Sequence, residues 1–319
     1  MILFLERKVS AALLLVIDVT RLRLLLPDEV FPSVMEWRTI EKWKREKLNE
    51  KSLIFRGFAR SGNVMDARTV LEAHDMPQKC VKYLINNIDG MGVTALMEAA
   101  SHGQPGMIRF LIEIGYANGE MEDKDGKVVT HFAAENGRLH SVMYLLEKFP
   151  NHLHFTDRNN NSLLTLASTN GQTAVMEFLI EKKAYLEHYN AEGRTSLHLS
   201  AVNGHLNAVK LLTTKGADIF ARDLAGDTPL HLACKNSHLD IVNFLLQTNI
   251  DLRTVSNNAG QTALDIAMKN NNEGIIEVLT NGPSPSTQPE PANSLPLLPT
   301  QRVIEEQPIS PQVETSPDF

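Results

Sequence analysis

Through the middle of the chain, apolar residues arrive in short clusters with helical spacing. Met107-Ile108 leads to Phe110-Leu111-Ile112. The same step recurs in Val142-Met143 with Leu145-Leu146, Val175-Met176 with Phe178-Leu179, and Ile241-Val242 with Phe244-Leu245-Leu246. Positions i, i+3 and i+4 share one helix face, so each cluster predicts an amphipathic helix with one buried stripe, and the Phe and Met residues are read as core. Ahead of each lies a shorter apolar run anchored at Thr94, Val128, Ser162, Thr195, Thr228 and Thr262, at intervals of 34, 34, 33, 33 and 34 residues. A hydroxyl at such an anchor accepts free N–H groups at a helix start. Pro229 suits the first helical position, where its missing N–H does no harm. Ala99-Ala100, Ala133-Ala134 and Ala233-Cys234 let neighbouring helices approach closely. Gly103, Gly137, Gly171 and Gly204 end the run where the chain must turn left-handed. Asn271 tolerates that conformation and Ser237 less well, which marks a local weak point. A unit this short cannot bury its apolar face alone and must stack on copies of itself.

The fullest copy, Thr228-Pro229-Leu230-His231-Leu232-Ala233, carries the T-P-L-H-x-A pattern, and at this period it resembles the ankyrin repeat. The resemblance covers residues 51–281. It implies an all-α ankyrin-repeat solenoid, with a β-turn plus two antiparallel helices per repeat, and a function of binding other proteins. Six units are expected at 87–120, 121–154, 155–187, 188–220, 221–253 and 254–281. A degenerate N-terminal unit at 53–84 places Phe55, Phe58 and Ala59 in the core, ends a helix at Gly62, and leaves extra residues in a connector over 73–85. Two departures leave tip geometry open: Asn160 stands where the turn glycine belongs, and Val129-Thr130 replaces Pro-Leu.

The flanks read differently. Residues 1–34 form an unclear apolar flank. Val9 to Ile17 is too short to span a bilayer. A leader, a buried flanking helix and a true start at Met35 all remain open. Residues 35–51 are dense in charge, with Trp37, Ile40 and Trp43, and suit a helix capping the array at 52–281. Nine of the 15 prolines fall in 282–319. Such a tail is expected to be disordered, because it cannot bury enough surface to offset its ordering entropy.

A net charge of −7, spread along the chain, argues for solubility and against a nucleic-acid ligand, which wants a concentrated basic stripe. Two distant cysteines, Cys80 and Cys234, suit a reducing compartment, so a cytoplasmic or nuclear location is expected. No phosphate-binding loop, zinc-protease motif or nucleophile elbow occurs, and no cofactor, membrane span or small-molecule substrate is expected. His131, His198 and His231 fill the T-P-L-H slot, and His205 and His238 fill another, so all five are read as structural. His152 and His154 lack the further ligands of a zinc site.

What remains is a surface. The resemblance implies that turn tips and solvent-facing first-helix positions line one concave side. The tips are Lys124 and Lys127; Arg158, Asn159 and Asn161; Glu192 and Arg194; Leu224 and Asp227; and Asn258 and Gln261. The helix positions are Glu135, Thr169, Val202, Lys235 and Lys269, each followed by an Asn read as structural. The reading is an adaptor or scaffold that binds one or more partner proteins without catalysis. An inhibitor of a transcription factor, with the Pro/Ser/Thr-rich tail as its regulatory element, and a substrate receptor of a ubiquitin ligase are the alternatives.

Overall fold

The computed structural model describes residues 50–72, 78–113 and 116–282. The expectations for 1–49 and 283–319 concern residues outside that description, as does the side chain of Cys80.

Among the described residues every regular element is helical, apart from the isolated antiparallel bridges Thr156–Ser162, Tyr189–Thr195 and Ser256–Thr262. Six repeats each supply two helices. The first helices are Ala95–Ser101, Val129–Glu135, Leu163–Thr169, Ser196–Val202, Pro229–Lys235 and Ala263–Lys269. The second helices are Pro105–Glu113, Leu139–Lys148, Thr173–Glu181, Leu206–Thr214, Leu239–Thr248 and Glu273–Asn281. First helices pack on first helices of the neighbouring repeats, and second on second.

Each anchor residue is an N-cap, one residue before its helix. Thr94, Ser162 and Thr262 accept the N–H three residues on, at 3.3 Å each. At Thr195 and Thr228 the hydroxyl instead meets the Nδ1 of His198 and His231, at 2.9 and 2.8 Å. The small pairs Ala99-Ala100, Ala133-Ala134 and Ala233-Cys234 are all fully buried. Burial also pushes the Cys234 thiol up to about 12, so it stays protonated.

The glycines at the first-helix ends take left-handed φ, as do Ser237 (63°) and Asn271 (50°). Asn160 substitutes for glycine at φ 57° and keeps the turn: its N–H donates to Asp157 at 2.9 Å and its side chain to the Tyr189 carbonyl at 2.7 Å. Thr130 also keeps its repeat intact. A buried hydroxyl needs a partner, and the fully buried His152 provides one, its Nδ1 lying 2.8 Å from Thr130 Oγ1. That ring lies between Phe149 and Phe155, with centroids 4.9 Å away on either side.

His152 belongs to a 3-10 turn, Pro150–His154, and a second such turn spans Ile250–Thr254. Both fall in 34-residue intervals. The two 33-residue intervals have instead a left-handed residue after the second helix, Lys183 (φ 68°) and Gly216 (φ 89°). In those two 34-residue intervals the spare residue is therefore absorbed at that end of the hairpin.

Three expectations need correction. The connector over 73–85 contains a helix, Gln78–Asn86, because Val81, Leu84 and Ile85 have the i, i+3, i+4 spacing and are buried. Phe58, Phe178 and Phe244, all read as core, are only half-buried, with Lys182 and Lys210 Nζ 5.5 and 5.9 Å from the ring centres of Phe178 and Phe244. Met143 is not core: it is 45% exposed. Elsewhere the N-terminal unit follows expectation, with Phe55 and Ala59 buried in a helix that covers 50–61 and Gly62 left-handed at its end.

Candidate protein-binding surface

The turn between repeats is built by one residue that sequence reasoning missed. Asp89, Asp123, Asp157, Asn190, Asp223 and Asn257 each stand five residues before an N-cap. In every case one side-chain oxygen accepts two backbone N–H groups, two and four residues on, at 2.7–3.0 Å. Asp and Asn do this because their short side chains mimic a backbone turn. The signal was available as an Asp or Asn recurring in step with the anchors.

The tips are then tied to one another. The N–H of Lys124 donates to the carbonyl of Met91, Arg158 to Asp125, Ala191 to Asn159, Leu224 to Glu192 and Asn258 to Ala225, at 2.8–3.1 Å. At the tip, a Cβ on Gly193 would lie 2.8 Å from the Leu224 nitrogen, and one on Gly226 2.3 Å from the Asn258 side chain. Only glycine admits so close an approach at a positive φ.

A second ladder runs beneath the tips. His131, His198 and His231 accept the N–H of their own N-caps on Nδ1, at 3.1–3.2 Å. Their Nε2–H groups donate to the carbonyls of Phe155, Asp227 and Gln261 at 3.1–3.2 Å, joining each repeat to the next. Burial holds all three rings below the ordinary histidine range, His131 at about 4, so they remain neutral at physiological pH. His205 and His238 donate backward instead, to Thr169 and Val202. The asparagines at the helix ends are structural as read: Asn136, Asn203 and Asn236 bond the carbonyl four residues back, and Asn170 and Asn270 bond the preceding repeat.

Against this frame the sixteen candidate contact residues divide. Lys124, Arg158, Asn159, Glu192, Leu224, Asn258, Lys235 and Lys269 are exposed, Leu224 at 73%. Val202 and Gln261 are half-buried. Thr169 is half-buried too, and its hydroxyl donates to the Thr165 carbonyl. The rest are engaged within the fold. Lys127 and Glu135 form an ion pair at 2.8 Å. Asn161 donates to Asp157 at 2.9 Å. Arg194 pairs with the buried Asp223 at 3.3 Å and with Glu192. Asp227 is a correction: it is 6% exposed, because its carboxylate accepts the Asn257 side chain at 2.7 Å, and a buried group cannot meet a partner.

His152 and His154 do not face a common point, since one is buried and the other exposed. No cluster of three metal-ligating side chains occurs among the described residues. Nor, among those residues, is any helix long and apolar enough to cross a membrane.

The family model for ankyrin repeats (3 copies) matches at residues 70–154, 130–223 and 216–288. Human transient receptor potential cation channel subfamily A member 1 is 32% identical over 126 residues, which is 39% of this chain and 11% of the channel. The chain thus spans about a tenth of that relative. The crystal structure of the human ASB11 ankyrin repeat domain superposes with a TM-score of 0.60 at 23% identity, over 72% of this chain and 98% of that one. The likeness to ASB11 is one of fold.

Proposed function

The chain belongs to the ankyrin-repeat family, a family of protein-interaction modules, and from that premise we propose that it is a non-catalytic adaptor. It grips a partner protein with the exposed tips and the exposed ends of its first helices. The observation that carries this reading is the continuous run of backbone hydrogen bonds from tip to tip, with Lys124, Arg158, Leu224 and Asn258 projecting from it. Side chains held at fixed intervals lose little conformational entropy on binding, and such preorganisation favours affinity. Exposed Arg158, Lys235 and Lys269 favour a partner with acidic groups along the contact. A cytoplasmic or nuclear location belongs to the same reading, supported by the buried, unpaired thiol of Cys234.

The test is Arg158→Glu together with Lys235→Glu, both at exposed positions. Arg194 is unsuited, because reversing its charge would also strand buried Asp223. Proximity labelling with the full chain identifies partners, and the double variant should lose at least tenfold in affinity for them with an unchanged melting curve. Unaltered binding would refute the tip surface.

A further inference from the structure

A solenoid unit buries one face against the unit before it, so the six later repeats show what the first one lacks. Counted from the left-handed residue that ends each first helix, Gly62 in the N-terminal unit, Ile54 falls in line with Ala95, Val129, Leu163, Ser196, Pro229 and Ala263. All six are buried, yet Ile54 is 53% exposed. Asp66 falls in line with Met107, Ser141, Val175, Ala208, Ile241 and Ile275, again all buried, and it too is exposed. Leu53 is exposed beside Ile54, and Met65 beside Asp66 at 71%. Later repeats carry Gly106, His140, Ala174, Asn207, Asp240 or Gly274 in the place of Met65, none of them large and apolar. Gly57, one turn on from Ile54, leaves a notch, since a Cβ there would meet nothing within 4 Å. Terminal units of a soluble array present a polar outer face, so this apolar one needs cover.

The face itself limits what can cover it. Phe58 replaces the small residue that lets neighbouring repeats approach, Ala99, Ala133, Ala167, Ser200, Ala233 or Ala267 elsewhere, so another repeat cannot stack here in the ordinary way. An apolar neighbour would also shut in the Asp66 carboxylate, whose bond from the Asn63 amide, at 2.6 Å, leaves its charge uncompensated. Of the other charges nearby, Glu50 and Lys51 offset one another, and Arg60 and Arg68 lie by Glu98 and Glu72 at 2.7 and 3.9 Å. The cover must therefore be narrower than a repeat, apolar in part, and cationic at one point. The chain enters this helix directly from residues 35–49, which have those properties. Trp37, Ile40 and Trp43 recur there at three-residue steps, and five basic residues, among them Arg38 and Lys42, outnumber three acidic ones.

We propose that residues 35–49 fold onto this end of the array and cap it, with an indole over Ile54 and the Gly57 notch and a basic side chain at Asp66. Joined to the face by the chain itself, the segment is presented at an effective concentration on the order of mM, so shallow contacts suffice. None of the tip residues proposed to grip a partner lies on this face, and the two readings stand or fall separately.

Trp37 and Trp43 are the only tryptophans of the chain, so its intrinsic fluorescence reads the segment directly. In the full chain the emission should lie to the blue of that of the urea-unfolded chain and should not change on dilution. Ile54→Lys with Met65→Lys, both at exposed positions, should carry the emission and its quenching by acrylamide to the unfolded values while far-UV circular dichroism stays helical. Trp37→Ala with Trp43→Ala should lower the urea midpoint, and combining the two pairs should lower it no further than either alone. Emission already at the unfolded value in the unaltered chain overturns the proposal. So does a blue-shifted emission that the lysine pair leaves unmoved, because the indoles would then be buried elsewhere. A blue shift that fades on dilution as the molecular mass halves would assign the cover to a second copy and overturn capping by the chain's own segment. An unchanged midpoint in the alanine pair, or additive losses, would overturn it as well.

Discussion

His231 and Asp265 occupy the same place in successive repeats, three residues after Thr228 and Thr262. His231 is buried; it takes the Thr228 N–H on one nitrogen and gives the proton of the other to the Gln261 carbonyl in the next repeat. Asp265 takes the N–H and the hydroxyl of Thr262, at 2.8 Å each, and lies exposed. Both start a helix. Only the histidine also reaches forward, and that requires a following repeat with a free carbonyl. In the last described repeat a carboxylate caps the helix with no forward bond among the described residues.

Exchanging the two residues should separate these roles most sharply. His231→Asp would bury a carboxylate and break the bridge to Gln261, at a predicted loss of about 3–5 kcal/mol in urea denaturation. Asp265→His should leave the denaturation midpoint nearly unchanged, because an imidazole nitrogen can take the Thr262 N–H as His231 takes that of Thr228. Equal losses would erase the distinction. Next in size, Leu230→Ala removes a fully buried side chain and should cost about 3 kcal/mol, whereas Leu264→Ala, its half-buried counterpart, should cost roughly half as much.

Acidification should part the two caps by pH window. The unfolded chain protonates its histidines near the ordinary value of about 6.5, while folded His131 resists until about 4. The unfolded state therefore binds more protons, and stability present above pH 6.5 is lost as pH falls toward 4, on the order of 2 kcal/mol by pH 5 from His131. His198 and His231 add in the same direction. Hydrogen bonds from Thr262 hold the Asp265 carboxyl below its usual range, so its contribution persists until more acid conditions. Melting temperatures across pH 7 to 4 check this, and a flat profile would count against the buried neutral rings. The smallest effect concerns Ser237, at φ 63°: Ser237→Gly should raise stability by about 0.5–1 kcal/mol, measurable as a shifted denaturation midpoint.

Helix starts, left-handed ends and the close-packed alanine pairs were legible in the sequence, because each depends on a residue's own backbone preference or on the 33- to 34-residue period. The T-P-L-H histidines were legible for the same reason. The turn-building Asp and Asn column was equally periodic but overlooked beside the louder apolar signal. Thr130 was opaque for a different cause: its partner, His152, lies 22 residues away in a turn that the period does not announce. Contact residues were least legible. Whether Arg194 or Asp227 faces a partner or a neighbouring repeat depends on side-chain reach, and Asp227 was claimed by Asn257, 30 residues on.

The 3-10 turns at Pro150–His154 and Ile250–Thr254 take up the one-residue difference between intervals at the end of the second helix. Length can therefore drift there while the backbone seam across the tips remains unbroken. A chain so arranged can take in or shed a residue along one shore while the other keeps its spacing.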